Sequence, residues 1–347
     1  MIHSKSVEYS SLILVAVVIA ACSGSANDQS SRGLDVPTEL RYVRTVVRQD
    51  TTEGTTWLQL PQRISYDSAS SHLFVLDWAE QSIMEFTTSG RFVGSFGHKG
   101  EGPGELKNVQ AYALGRHHLT ALDMGGGKLE VFDRSSRAAQ RTIRLQRLML
   151  DITAIDDTIV AVLPGPDGAL FELFNITSGS SLGSFGDGGF LGTVCMYCSI
   201  TYIGNDLLVV LEPGRIDGRI VRLDGSPFEV FAFVELADVL TRWQEQFLGV
   251  MREAVGRLNN GERGRVPGGK VWFPTVGATG DGGFFVIATP ARVGDDPFEI
   301  WTLDQRGRIT ARYRFDRTWI GMYTSSFPTI YTLGSDDQYG IYEYEVP

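Results

Sequence analysis

Short segments rich in apolar residues recur along the chain and predict β-strands. One kind ends in an acidic residue, as at 73–77 and 119–123, which lie 46 residues apart. A second kind follows after a short turn, and its members lie at 83–86, 129–132, 170–174, 219–223 and 299–303. The ends of these members are separated by 46, 42, 49 and 80 residues, and the tetrapeptide Gly-Ser-Phe-Gly stands at both 94–97 and 183–186. Repeats of about 40–50 residues with several short strands each are typical of the blades of a β-propeller.

The repeats predict an all-β fold, a six-bladed β-propeller. Five blades fall between about residues 61 and 315, and a hairpin of 329–333 and 339–346 supplies part of a sixth. The segment 41–48 alternates like a strand and has no blade of its own, so we expect it to complete the sixth blade and close the ring. Radial packing then covers both faces of every sheet. A two-sheet sandwich is the alternative, and it does not predict the repeated tetrapeptide.

The one long interval, of 80 residues, contains a different pattern. Between Leu236 and Leu258 apolar residues recur at every third or fourth position, which predicts an inserted amphipathic helix over about 236–260. A helix of this length does not fit within a blade, so we expect it to lie across one face of the propeller. It either packs there only for stability or forms a lid or partner surface beside the central opening. In the second case Trp243 is a candidate ligand-binding residue.

The N-terminus has the pattern of an export signal. The apolar run at 12–21 is shorter than the roughly 20 residues that span a bilayer, and it ends in Ile19-Ala20-Ala21-Cys22. This ending resembles the lipobox of bacterial lipoproteins, which implies removal of 1–21, lipidation of Cys22 and, with Ser at the next position, sorting to the outer membrane. A plain secretory signal is the alternative. Residues 22–40 then form a flexible tether and 41–347 the propeller.

The stretch at 95–106, Ser-Phe-Gly-His-Lys-Gly-Glu-Gly-Pro-Gly-Glu-Leu, is the most specific motif in the chain. It resembles the signature of bacterial six-bladed β-propeller lipoproteins related to NHL repeats, a largely uncharacterised family. The resemblance implies the fold and a location in the cell envelope. Because Gly and Pro favour tight turns, we expect a connector between blades, in which Glu105 accepts hydrogen bonds from backbone N–H groups. The alternative is contact with a ligand through His98, Lys99 or Glu101.

The composition and the remaining polar residues narrow the chemistry. The chain has 41 acidic and 31 basic residues and a net charge of -10, which disfavours nucleic acid as a partner. In an oxidising compartment Cys195 and Cys198 are candidates for a disulfide, with a redox-active pair as the alternative. Asp77 and Asp123, at equivalent strand ends, either cap turns or converge at the central opening as candidate metal ligands.

Two functions remain, a binding module and an enzyme, and we favour the binding module. One is a lipid-anchored, extracytoplasmic binding or scaffold module for a protein or small-molecule ligand, which needs no cofactor. The alternative is a metal-dependent hydrolase or lyase, similar to propeller lactonases, with Ca²⁺ or Zn²⁺ in the channel. The channel lining discriminates between them. Three or more carboxylates or imidazoles about one point favour the enzyme, whereas aromatic and mixed polar side chains favour binding.

Overall fold

The structure is a computed structural model of the chain. It describes residues 37–48, 58–145, 147–190, 198–211, 217–232, 276–279, 282–288, 299–315, 320–326, 329–335 and 339–347. The predicted signal segment, Cys22, the predicted helix over 236–260 with Trp243, and Cys195 lie outside these ranges. Within them, no helix is long and apolar enough to cross a membrane.

The described residues form β-strands almost throughout, together with a short 3-10 turn at Gly188–Phe190. The strands are β1 (Thr38–Glu39), β2 (Arg41–Arg48), β3 (Pro61–Asp67), β4 (His72–Asp77), β5 (Ser82–Thr87), β6 (Phe92–Phe96), β7 (His98–Lys99), β8 (Glu105–Leu106), β9 (Val109–Leu114), β10 (His118–Asp123), β11 (Lys128–Asp133), β12 (Ala139–Arg144), β13 (Asp151–Ala154), β14 (Ile159–Leu163), β15 (Ala169–Asn175), β16 (Ser180–Asp187), β17 (Ser199–Gly204), β18 (Leu207–Leu211), β19 (Asp217–Arg222), β20 (Pro227–Ala232), β21 (Val276–Ala278), β22 (Phe284–Ala288), β23 (Glu299–Leu303), β24 (Ile309–Arg314), β25 (Ile320–Ser326), β26 (Thr329–Ser335) and β27 (Tyr339–Glu345).

These strands form six antiparallel sheets, which are the six predicted blades. Blade 1 consists of β3–β6, blade 2 of β9–β12, blade 3 of β13–β16, blade 4 of β17–β20, blade 5 of β21–β24, and blade 6 of β25–β27 with β2. Within blades 1–5, each strand after the first pairs with the strand before it in the chain, so these blades are simple meanders, whereas the fourth strand of blade 6 is β2. The short strands β7 and β8 pair in parallel within the connector between blades 1 and 2.

The ring closes through an N-terminal strand. β2 pairs antiparallel with β27, so blade 6 combines strands from both ends of the propeller. Arg44 Nε donates to Glu343 Oε2 at 2.8 Å, and Arg44 Nη2 donates to the carbonyl oxygen of Thr88 in blade 1 at 2.8 Å. The predicted role of Arg41–Arg48 is confirmed, and the two-sheet sandwich is wrong.

The hydrophobic core is divided among the interfaces between blades. Six clusters of buried side chains occur, and each one joins two neighbouring sheets. Phe74 and Leu76 of blade 1, for example, pack with Tyr112 and Ala121 of blade 2. Burial of apolar surface contributes roughly 25 cal/mol per Å², so each blade depends on its neighbours for most of its stability.

The folded unit begins before the predicted boundary at residue 41. β1 pairs in parallel with β24 at the outer edge of blade 5. Leu40 is buried in the cluster between blades 5 and 6. Residues 38–40 of the predicted tether thus belong to the folded unit, and a flexible tether over the preceding residues stays a prediction.

We expect a charge at a buried position of the closing strand β2 to destabilise the protein. Val47 of β2 is 6% exposed and Val43 of the same strand is 39% exposed. Val47→Asp places a carboxylate among the apolar residues between blades 6 and 1, and should lower the free energy of unfolding by about 3–5 kcal/mol. Urea unfolding of the purified chain, followed by tryptophan fluorescence, measures this change.

Val43→Asp is the matched control, because it adds the same charge to the same strand at a position open to water. A change well below that of Val47→Asp is expected. If both variants lowered the free energy of unfolding equally, the effect would not depend on burial against blade 1. That result would contradict a specific role of Val47 in closing the ring.

Candidate functional site

The first strands of the blades surround a central channel. Neighbouring first strands contact each other, as β25 does with β3, β9 with β13, β13 with β17, and β17 with β21. Between them lies a cavity of about 240 Å³. Its described lining consists of residues 63–66, 112–114, 152–154, 200–201 and 276–278, together with Phe285. Five of the six blades thus contribute described residues to one cavity.

The described lining is aromatic, hydroxylated and apolar. Its aromatic residues are Tyr66, Tyr112 and Phe285, and its hydroxyl groups include those of Thr153 and Thr201. Among the lining residues that the structure describes, Arg63 alone carries a formal charge. This composition is the one that the sequence analysis associates with binding.

A buried ion pair crosses the channel from blade 1 to blade 3. Arg63 Nη1 lies 2.5 Å from Asp151 Oδ1, and Arg63 Nη2 donates to Asp151 Oδ2 at 3.1 Å. Burial alone would lower the pKa of Arg63, but the adjacent carboxylate outweighs it and the pKa is raised above its ordinary value. The bidentate geometry fixes the guanidinium, and the pair as a whole carries no net charge.

Asp151 also connects blade 3 to blade 4. Its Oδ2 accepts a hydrogen bond from Ser199 Oγ at 3.1 Å and another from the backbone N–H of Ile200 at 2.9 Å. The backbone N–H of Ile152 donates to Oδ1 at 2.9 Å. The carboxylate is therefore saturated by donors, which compensates for its loss of solvent.

Threonine hydroxyls join the first strands further along the channel. Thr153 Oγ1 accepts from the backbone N–H of Tyr202 at 3.2 Å, and Thr201 Oγ1 donates to the carbonyl oxygen of Val276 at 3.4 Å. A hydroxyl has one proton to donate and two lone pairs. After these bonds the Thr153 hydroxyl can still donate, and the Thr201 oxygen can still accept.

The tyrosines of the channel are held by contacts with neighbouring strands. The Tyr112 hydroxyl donates to the carbonyl oxygen of Phe74 at 2.7 Å, and burial raises the pKa of Tyr112. The Tyr66 ring stacks on Tyr331 with 5.5 Å between ring centroids. Burial, with a smaller contribution from the nearby charge of Glu343, raises the pKa of Tyr331 to about 12.

The connector residues predicted as ligand contacts lie outside the described lining of this cavity. His98 and Lys99 form the exposed strand β7, and Glu101 follows in the exposed turn. Glu105 Oε2 accepts from the backbone N–H groups of Glu101 at 2.8 Å and Gly102 at 2.7 Å, which lowers the pKa of Glu105. The predicted acceptor role of Glu105 is confirmed, whereas ligand contact by His98, Lys99 or Glu101 stays a prediction.

A buried ion pair that was not predicted from the sequence holds this connector to blade 2. Lys128 Nζ lies 2.9 Å from Glu130 Oε2, and their side chains are 1% and 0% exposed. The same ammonium donates to the carbonyl oxygens of Gly102 at 2.9 Å and Glu105 at 2.7 Å. All three ammonium protons thus have acceptors. Two opposite charges, two positions apart in a strand expected to be buried on both faces, were the available signal.

Asp77 and Asp123 bind backbone groups of turns. Asp77 accepts from the N–H groups of Gln59 at 2.6 Å and Ala79 at 3.0 Å. Asp123 accepts from those of Asn108 at 2.8 Å and Gly126 at 3.0 Å. These bonds are the turn-capping geometry. No group of three or more His, Cys, Asp or Glu within the described ranges could hold a metal ion.

Of the predicted disulfide pair, the structure describes one member. Cys198 is buried at the start of blade 4 and is disulfide-bonded. Cys195 lies outside the described residues, so its pairing with Cys198 stays a prediction. The same holds for lipidation of Cys22 and for ligand binding by Trp243.

Comparisons with known proteins agree with this fold. Residues 51–161 match the sequence profile of the DUF5128 family, described as a 6-bladed beta-propeller. The crystal structure of a DUF4221 family member from Bacteroides vulgatus superposes with a TM-score of 0.59 at 12% identity, covering 89% of this chain and 98% of that one. A Bacteroides fragilis protein whose name marks it as a candidate for export gives 0.56 at 13% identity, covering 89% and 96%. No curated protein sequence matches the chain.

These matches support a bacterial family of six-bladed propellers. At such low identity the structural similarity shows the fold alone. The relation to NHL repeats and the lipoprotein signal stay predictions from the sequence.

We expect the buried lysine of blade 2 to be essential for the connector. Lys128→Met removes the charge and leaves the Glu130 carboxylate buried without its partner, so the free energy of unfolding should fall by about 3–5 kcal/mol. In the double variant with Glu130→Gln the unpaired charge is gone, and part of this loss should be recovered. Chemical unfolding of the three proteins measures both effects.

Lys107→Met is the matched control, because Lys107 pairs with Glu101 at the exposed surface of the same connector. It should leave unfolding unchanged within error. A loss as large as that of Lys128→Met would mean that burial of the pair is irrelevant.

Proposed function

We propose that this protein is a lipid-anchored β-propeller of the bacterial cell envelope that binds a ligand in its central channel. The observation that carries the proposal is the channel lining, in which rigid aromatic rings and hydroxyl groups from several blades face one cavity. Pockets that combine aromatic side chains with a few well-placed polar groups are typical of binding sites for small molecules.

The carboxylates near the channel favour binding over metal-dependent catalysis. The Asp151 carboxylate accepts hydrogen bonds from Arg63, Ser199 and the backbone N–H of Ile200. The carboxylates of Asp77 and Asp123, the residues considered for a metal, accept hydrogen bonds from backbone N–H groups. A catalytic metal requires ligands that converge on one point with an open position. The hydrolase or lyase alternative would therefore need ligands other than these carboxylates.

Two observations support a location outside the cytoplasm. The sequence Ile19-Ala20-Ala21-Cys22 resembles a lipobox. One structural neighbour carries a name that refers to export. With Cys22 as the lipid-bearing residue, residues 22–36 connect the anchor to the propeller, which begins at Pro37.

Cys22→Ser tests the anchor in a bacterial host. The variant should lose incorporation of labelled palmitate and move from the membrane fraction to the soluble fraction, because the acyl chains supply the membrane affinity. Ser23→Ala is the control and should fractionate like the natural chain. Retention of the acyl label by Cys22→Ser would overturn the lipid anchor.

A photocrosslinking residue tests the channel. We would replace Tyr66, in the cavity, by p-azidophenylalanine and irradiate intact cells, with the same replacement of the exposed Leu182 on the outer strand of blade 3 as the control. Adducts of a small molecule, detected by intact mass, are expected from position 66 and not from position 182. Adducts at position 182 alone would overturn the channel as the binding site.

A further inference from the structure

We propose that the channel binds an uncharged, polyhydroxylated molecule of about the size of a monosaccharide. This inference rests on the proposed function, since it names the class of ligand for the same cavity. Four properties of the described lining carry it, namely its charge, its hydroxyl groups, its aromatic rings and its size.

The charge of the lining is balanced within the protein. Arg63 is paired with Asp151 through both Nη atoms, and this carboxylate is satisfied by blade 4 as well. A charged ligand would lose its hydration in the cavity and find no unpaired counter-ion among the described residues. An ion that is buried without a partner is strongly disfavoured. The cavity therefore selects for neutral ligands.

The hydroxyl groups of the lining suit a ligand that both donates and accepts hydrogen bonds. The Thr153 oxygen accepts from the backbone of blade 4, which leaves its proton to be donated. The Thr201 hydroxyl donates to the backbone of blade 5, which leaves its oxygen to accept. A ligand hydroxyl can serve either group, because each hydroxyl is at once a donor and an acceptor.

The aromatic rings of the lining can pack against the apolar faces of such a ligand. Tyr66 is held by stacking on Tyr331, and Phe285 lies in the lining on blade 5. A sugar ring presents C–H groups on its faces and hydroxyls at its edge, so it can contact rings and threonines together. The cavity of about 240 Å³ is below the roughly 300–1,000 Å³ of sites for drug-sized ligands, which limits the occupant to one such ring.

Titration of the purified full-length chain tests the class of ligand. The probes are glucose, galactose and N-acetylglucosamine, against the charged analogues glucuronate and glucose 6-phosphate, each up to about 10 mM by saturation-transfer NMR and calorimetry. At least one neutral sugar is expected to bind, and at least tenfold more tightly than its charged analogue.

Variants of Thr153 locate the binding. Thr153→Val keeps the shape and removes the donor, so sugar affinity should fall about tenfold. Thr153→Ser retains the hydroxyl and should bind within about twofold of the natural chain. Thr177→Val, at an exposed turn of blade 3, controls for the substitution itself. Unfolding curves of all three show whether each variant is folded when it is titrated.

The possible outcomes separate this inference from the proposed function. Tighter binding of glucuronate or glucose 6-phosphate, weakened by Thr153→Val, would overturn the neutral class and leave the channel as the site. Absence of binding by every probe would overturn the inference, while crosslinks from position 66 would still support a channel ligand of other chemistry. Sugar binding that is unaffected by Thr153→Val in a folded variant would overturn the channel location as well.

Discussion

The closing contact between β2 and β27 is the constraint on which the rest of the protein depends. Every blade has two apolar faces, and no blade can bury both without a neighbour on each side. Blade 6 obtains its fourth strand from the N-terminal end of the unit, and its cluster with blade 1 joins Val47 and Ile341 to Leu73. Without that strand, the two blades at the break would each expose an apolar face, so chain order and core burial are satisfied together only in a closed ring.

Closure of the ring also determines which kinds of side chain are required along the channel. First strands of neighbouring blades belong to different sheets, so they contact each other without main-chain ladders. Side chains take over that role, and Asp151, Thr153 and Thr201 each bond to the backbone of the next blade. Polar residues are therefore required at the centre for structural reasons. Hydroxyls satisfy this requirement and retain hydrogen-bonding capacity, so the residues that join the blades are also the ones that would contact a ligand under the proposed function.

The sequence predicted the architecture well and the site poorly, for a physical reason. Blades repeat, so their strands and the closing role of Arg41–Arg48 are visible as local patterns. The Arg63–Asp151 pair joins residues 88 apart in blades that are not neighbours in the chain, and only the curvature of the ring brings them together. The Lys128–Glu130 pair could be suspected from two charges in an apolar strand, but its acceptors in the connector could not. Leu40 directly precedes the closing strand, and its burial depends on contacts with blades 5 and 6 that no local pattern reveals.

The charged residues described above are each committed to a structural contact, and this determines the charge of the channel. Asp77 and Asp123 stabilise turns, Glu105 stabilises the connector, and Lys128 with Glu130 holds that connector to blade 2. Each of these charges is committed to backbone groups or to a partner, and such commitments are what make a buried charge tolerable. Arg63 and Asp151 follow the same rule inside the channel and leave it neutral. The described side chains that remain along the channel are aromatic rings and hydroxyls, so under the proposed function selectivity would follow from shape and hydrogen bonding rather than from charge.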